Sequence, residues 1–301
     1  MSHWKPDWKA MMARAPLVAP RPAPGTVVFL ADSHLGDARA PDDEFTAWLD
    51  GLRGVAVLVL LGDLFKVWLA PPKYWAGLHQ RVMAALERLE ARGTQVVLVV
   101  GNREYFLPRL AANAKRRGMP FGWVVHEACV LAWNGKRYGL THGDLANRQD
   151  HRYLKWRKLS RGRLVRTLFW ALPGPAARWL AHRIEASLAA TNREIKIGYP
   201  QGELTAFAQA VTPGLDRFLI GHFHRQEVIR GGSCDLEIVP DWHALRRVTV
   251  LNTAGQFRTV DAWGISTPAA KKTAPTPAKK PAKQPAKQTS AKKTSRPKKK
   301  R

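Results

Sequence analysis

The sequence predicts an α/β protein whose sheet is at least partly parallel. Three observations carry this. Apolar runs recur at 26–32 (TVVFLAD), 55–63 (VAVLVLLGD) and 94–102 (TQVVLVVGN), and near-continuous runs of this kind mark strands covered on both faces. Segments of helical spacing separate them, so the order is strand, helix, strand, helix, strand. Each run stops at residues that carry chemistry: Asp32-Ser33-His34, Gly62-Asp63 and Gly101-Asn102-Arg103-Glu104.

Residues 1–24 are rich in Pro, Ala and Arg and are read as a loose leader. The first strand, 26–32, is a short β-branched run. PDDEFTAWLDGL (41–52) has helical spacing, with its acids early, where a helix N-terminus favours them. A helix over 74–92 leads to the third strand, and another is expected over about 105–117. From 123 to 144 the character changes to short strands joined at Asn134-Gly135, a strong hairpin signal. Residues 149–196 read as helical and basic throughout, and a further helix is expected near 202–211. Strands resume at 216–224, 227–239 and 247–262, the last an antiparallel meander. Beyond about Thr267 the chain is Lys, Pro, Ala, Thr and Ser. Such a segment buries too little apolar surface to offset its ordering entropy, so disorder is expected over 268–301.

The 301 residues suffice for one substantial core or two small ones. The net charge is +26. Residues 268–301 contain 13 Lys and Arg and no acid, which leaves about 26 − 13 = +13 on the rest. The body is basic in its own right, which favours an anionic partner. Cys129 and Cys234 are the only cysteines. They make no disulfide framework and suit a reducing compartment. No run fits a signal peptide or a membrane span, so the expected location is cytoplasmic.

Two later strands end in the same way as the first three, at Thr141-His142-Gly143-Asp144 and Gly221-His222-Phe223-His224. In open α/β sheets ligands bind outside the carboxyl ends of the strands. Asp32, His34, Asp63, Asn102, His142, His222 and His224 are therefore expected at one place. Carboxylate, amide oxygen and imidazole suit Mn²⁺, Fe²⁺, Zn²⁺ or Co²⁺, and no thiolate is among them. Seven ligands exceed one ion and match a pair sharing a bridging carboxylate, for which Asp63 is the natural residue.

The ordered set D-x-H, G-D, G-N-x-[ED], H-G-D and G-H-x-H over residues 26–224 resembles the calcineurin-like metallophosphoesterases. The resemblance implies a layered β-sandwich flanked by helices and a dinuclear site that hydrolyses phosphate esters or anhydrides. It further implies Asp32, His34, Asp63 and His224 on one ion, and Asp63, Asn102, His142 and His222 on the other. The cofactor it implies is two divalent ions, with Mn²⁺ expected. Many members carry His after the Asn; here the residue is Arg103. A guanidinium clamps phosphate but cannot act as an acid near neutral pH. That favours a leaving group needing little protonation, such as a phosphate monoester, and hence a pyrophosphate substrate.

G-N-R-[DE] with a helical insertion after H-G-D resembles the UDP-2,3-diacylglucosamine diphosphatases of lipid A synthesis. This implies release of UMP and 2,3-diacylglucosamine 1-phosphate from a UDP-linked glycolipid. It makes Asn102 and Arg103 the catalytic pair and the insertion a cap that takes the acyl chains. Asp150, Tyr153 and Arg157 are the substrate residues implied by HGDLANRQDHRYLKWRKLSR; Ser187, Asn192 and Lys196 are approximate counterparts in the insertion. The domains expected are a leader (1–24), a catalytic domain (25–267, cap about 149–196) and a basic tail (268–301).

Without the family, residues 161–184 alternate Arg with Leu, Phe and Trp. A basic, aromatic amphipathic helix suits an anionic membrane surface; packing on the core with solvated arginines is the plainer reading. Peripheral association with the cytoplasmic face of the inner membrane follows from the first. The tail is read as an electrostatic anchor, a nucleic-acid contact or a solubilising segment. Two rival functions stay open: another dinuclear phosphoesterase acting on nucleotides or nucleic acid, and a non-enzymatic nucleic-acid binder.

Overall fold

The computed structural model describes residues 5–37, 42–107, 119–194 and 199–265. The chain begins with α1 (Trp8–Ala13), β1 (Leu17–Val18), β2 (Thr26–Leu30), α2 (Asp42–Gly51) and β3 (Val55–Leu60). It continues through β4 (Trp68–Leu69), α3 (Gly77–Ala91), β5 (Gln95–Val99), β6 (Glu104–Tyr105) and β7 (Trp123–Val125). The hairpin β8 (Ala128–Trp133) and β9 (Lys136–Thr141) is followed by three helices, α4 (His151–Ser160), α5 (Arg163–Ala171) and α6 (Gly174–Glu194). Then come α7 (Gln201–Val211), β10 (Arg217–Ile220), β11 (Glu227–Ile229), β12 (Leu236–Ile238), α8 (Trp242–Leu245), β13 (Arg247–Leu251) and β14 (Phe257–Asp261).

Two six-stranded sheets result, in the orders β14-β13-β2-β3-β5-β7 and β1-β8-β9-β10-β12-β11. In the first, β2, β3, β5 and β7 run parallel. In the second, β9, β10 and β12 do so. The sheets face each other, because alternate strand residues point to opposite faces. Val27, Phe29, Val57, Val59, Val97 and Val99 meet Cys129, Leu131, Tyr138, Leu140 and Leu219 in the inner layer. The intervening Val28, Leu30, Leu58, Leu60 and Leu98 turn outward onto Phe45, Trp48, Val82 and Leu86 of α2 and α3. The second sheet's outer face, with Phe218, Ile220 and Ile238, packs on Leu204, Phe207 and Ala208 of α7. Double coverage explains why these strands lack a polar alternation. The layered α/β architecture predicted from the sequence is present. At the β8–β9 turn Asn134 and Gly135 take φ of 49° and 74°, as a two-residue turn with positive φ at both positions requires.

The leader departs from expectation. Trp8 and Met11 of α1 are buried. The Trp8 indole donates to Leu145 O at 2.9 Å, and the Arg148 guanidinium lies 3.4 Å from its ring centroid. Leu17–Val18 then adds a parallel strand to β8. A six-residue helix and a two-residue strand are too short to show a hydrophobic period, so composition misleads there. The helix expected over 105–117 falls largely on 108–118, outside the described residues, and Glu104–Tyr105 is a short strand paired with β4. The basic tail is likewise outside them.

Candidate metal centre

Parallel strands end side by side, so one rim of the sandwich collects the loops after β2, β3 and β5 from one sheet and after β9, β10 and β12 from the other. Backbone hydrogen bonds tie these loops together: Leu61 N to Leu30 O (2.7 Å), Gly221 N to His142 O (2.8 Å) and Trp242 N to Ala31 O (2.9 Å). The sheets join across the rim where His222 N donates to Asp32 Oδ2 at 2.7 Å. Residues 190 positions apart thus share one site.

All seven candidate ligands gather here. The ligand atoms of Asp32, His34 and His224 lie within 4.8 Å of one another, as do those of Asp32, Asp63 and His142. Asp63 faces both groups: Oδ2 is 3.9 Å from His34 Nδ1, and Oδ1 is 3.6 Å from His142 Nε2. Asn102 Oδ1 lies 2.9 Å from His142 Nε2 and 3.0 Å from His222 Nδ1. Five of the seven sit beyond the strand ends with left-handed backbones: Asp32 (φ 52°), His34 (45°), Asp63 (53°), His222 (71°) and His224 (49°). Such conformations cost about 1–3 kcal/mol each and persist where the surroundings over-determine them. A turn, rather than alternation along an extended strand, brings both members of each Asp-x-His and His-x-His pair onto the site. The packing leaves no slack. A Cβ on Gly62 would stand 2.6 Å from His142 Nδ1, and one on Gly221 would stand 2.8 Å from Asp32 Oδ2.

The donor set fits divalent ions. Leu61 O, which can only accept, takes the Nδ1–H of His142 at 2.7 Å. In the neutral ring that leaves the Nε2 lone pair facing the Asn102 and Asp63 oxygens, three acceptors turned on one another. Asp32 Oδ1 and His34 Nδ1 are buried and have no hydrogen-bond partner. Burial, followed by the opposing effect of Asp63, sets His34 at about 3. Burial also takes His222 down to about 4, so both rings are neutral at neutral pH, as ligation would require. Burial opposes charge on His142 too, but Asp63, Asp32 and Asp144 outweigh it and lift the ring to about 9. Burial raises the Asp32 carboxyl, and burial with the Asp63 charge brings Glu104 to about 7. Against burial, the neighbouring histidines and Arg103 hold Asp63 below the usual carboxylate value, so the carboxylate facing both groups is ionised and suited to a cation.

Arg103 stands at the mouth. Its Nε is 3.2 Å from Asp63 Oδ2, and its backbone N donates to Asp63 Oδ1 at 2.9 Å. Glu104, the last residue of Gly101-Asn102-Arg103-Glu104, locks the loops together. It accepts from the backbone N–H of Asp63 (3.0 Å), Leu64 (2.7 Å) and Gly101 (2.6 Å).

The cap residues divide. Tyr153 OH and Arg157 Nε both bond Asp144 Oδ2, the latter at 2.7 Å. Asp150 caps α4 by accepting from Tyr153 N at 2.9 Å. The contacts of these three are therefore to the protein itself and dock α4 beside the site. Ser187 and Asn192 fall on α6, but their side chains, and Lys196 altogether, are outside the described residues. An apolar cavity of about 260 Å³ opens between the cap and β4–β6, walled by Val67, Leu69, Phe106, Trp156, Phe169 and Ile184. Phe106 of this wall is three residues beyond Arg103 in the chain. Two site-rim residues escaped the sequence reading, Asp241 and His243. The signal was present: Asp241-Trp242-His243 is a second D-x-H after an apolar run.

The family model for calcineurin-like phosphoesterases matches residues 25–226. A UDP-2,3-diacylglucosamine hydrolase of Xanthomonas oryzae pv. oryzae is 29% identical over 248 residues, 76% of this chain and 96% of that protein. One from Ralstonia nicotianae is 28% identical over 234 residues, 72% of this chain and 84% of that protein. A solved structure of vacuolar protein sorting 29 from Cryptosporidium parvum aligns with TM-score 0.37 at 12% identity, over 79% of this chain and 96% of that one. Two-thirds of the chain fits the family model, over the very span that carries the rim ligands, and the chain belongs to the calcineurin-like phosphoesterases, a family of metal-dependent hydrolases.

Proposed function

We propose that this hydrolase cleaves the pyrophosphate of UDP-2,3-diacylglucosamine, releasing UMP and 2,3-diacylglucosamine 1-phosphate in lipid A synthesis. The observation that carries this reading is the apolar cavity under the cap, whose wall includes Tyr105 and Phe106 just after Arg103 in the chain and which suits acyl chains attached to a phosphorylated head group. The names of the relatives support it. Two divalent ions, Mn²⁺ by this proposal, held by Asp32, His34, Asp63, Asn102, His142, His222 and His224, would supply charge neutralisation at phosphorus and a water acidic enough to attack it.

The chain's own groups do the rest. Leu61 O holds the His142 ring in one tautomer. The Arg103 guanidinium, fixed beside Asp63, forks onto phosphate oxygens where charge develops. It donates no proton to the leaving group, and a sugar phosphate needs little. The Asp144–Arg157–Tyr153 contacts hold α4, so the cavity wall keeps its place over the site.

The cap surface supports peripheral contact with an anionic membrane. Leu159, Leu164, Leu168, Trp170 and Trp179 are exposed, and residues 151–184 carry nine Lys and Arg and no acid. Apolar insertion and basic attraction act together at such a surface. No helix among the described residues is long and apolar enough to cross a membrane.

The test is incubation with UDP-2,3-diacylglucosamine and Mn²⁺, with UMP as the readout. UMP release with ¹⁸O from labelled water in the UMP supports attack at the α-phosphorus. Cleavage of a simple phosphodiester without UMP release favours the nucleotide or nucleic-acid reading instead.

A further inference from the structure

The second Asp-x-His lies alongside the first. Ala31 and Asp241 form a parallel bridge, and His243 N donates to Asp32 O at 3.1 Å. The His243 ring stands edge-on to His34, with centroids 5.7 Å apart. Asp241 is 1% exposed, and its Oδ2 lies 3.9 Å from His224 Nδ1. The other nitrogen of that ring, Nε2, faces the site, 3.6 Å from Asp32 Oδ1 and 3.2 Å from His34 Nε2. His224 is the loosest of the ligand rings, its side chain 44% exposed. It therefore depends most on a contact behind it. At 3.9 Å the two groups interact electrostatically without a hydrogen bond in this geometry, and a carboxylate behind a ligating imidazole favours one orientation of its ring.

We propose that Asp241 is a positioning residue for His224, its buried carboxylate setting the ring toward the ion held with Asp32 and His34. The inference rests on the metal-site reading above. Asp241 has a second task that makes the test clean. Its Oδ2 caps α8 by accepting from Ala244 N at 2.7 Å. Asn and Ser cap helices about as well as Asp but carry no charge. Asp241→Asn and Asp241→Ser therefore keep the cap and remove only the charge facing His224.

The experiment titrates the full-length, ion-free protein with Mn²⁺ and counts free Mn²⁺ by electron paramagnetic resonance. Wild type should bind two ions. Asp241→Asn should weaken one class by about 10-fold, the low end for lost outer partners of ligating histidines, and leave the other within about twofold. In a His224→Ala background, Asp241→Asn should change nothing further. The melting temperature of ion-free Asp241→Asn should match wild type; if it falls, Asp241→Ser supplies the comparison. Wild-type Mn²⁺ affinity in both variants, or an equal further loss in the His224→Ala background, overturns the positioning role and leaves the metal site standing. A wild-type protein that binds no Mn²⁺ overturns both.

Discussion

Asp144→Asn is the substitution that most directly tests how the cap is held. Asp144 is 4% and Arg157 8% exposed. Arg157 Nε bonds Asp144 Oδ2 at 2.7 Å, and its Nη2 has no hydrogen-bond partner. Removing the carboxylate charge leaves a buried guanidinium without its counter-ion. Breaking a buried pair from one side costs about 3–5 kcal/mol. In a domain of this size each kcal/mol moves the melting temperature by about 2–4 °C, so the expected fall is roughly 6–20 °C. Limited proteolysis should cut α4–α5 earlier in the variant. Adding Arg157→Met should recover part of the loss, because no charge is then stranded, and the cycle should show coupling. Burial works against ionised Asp144, but Arg157 and then His142 hold its pKa below the usual carboxylate value. The pair's contribution is therefore present above pH about 4 and lost as pH falls through the depressed pKa. A variant melting within 2 °C of wild type, with an equally protected cap, would falsify the reasoning.

Asp63→Ala should abolish Mn²⁺-dependent UMP release and reduce bound Mn²⁺, because one carboxylate faces both ligand groups; normal turnover refutes the bridging position. Arg103→Ala should lower kcat by about 10²-fold with bound Mn²⁺ unchanged, and metal loss instead would move Arg103 out of the substrate contacts. His79, outside the candidate ligand set, gives a pH dependence. Its Nδ1 accepts from Ala76 N at 3.2 Å, its ring packs on Phe65, and burial lowers it to about 4. The unfolded chain takes up that proton near 6.5, the folded one only near 4. The His79 contribution is thus full above pH 6.5 and falls by up to about 3 kcal/mol as pH drops to 4. His79→Gln should reduce the slope of stability against pH over that interval in urea titrations; an unchanged slope rules the histidine out.

Much of the candidate site was legible in the chain because its candidate ligands follow apolar runs. Where Phe29, Val59 or Leu98 marks a doubly covered strand, the residues just beyond its end belong to the ligand rim by topology. Local pattern therefore determined which residue types, in which order, meet at the rim. It did not determine how they meet. The tautomer of His142 set by Leu61 O and the bond from His222 N to Asp32 join segments of opposite sheets, and the left-handed backbones at Asp32, Asp63 and His222 fit the loops to those contacts. Long-range packing decides such contacts, and no window of neighbouring residues contains both partners. The same reason explains the leader. Trp8 is buried only because Leu145 and Phe207, far along the chain, form its pocket. Asp241 and His243 repeat a motif visible in the sequence, but only the bridge to Ala31 placed them beside the first copy.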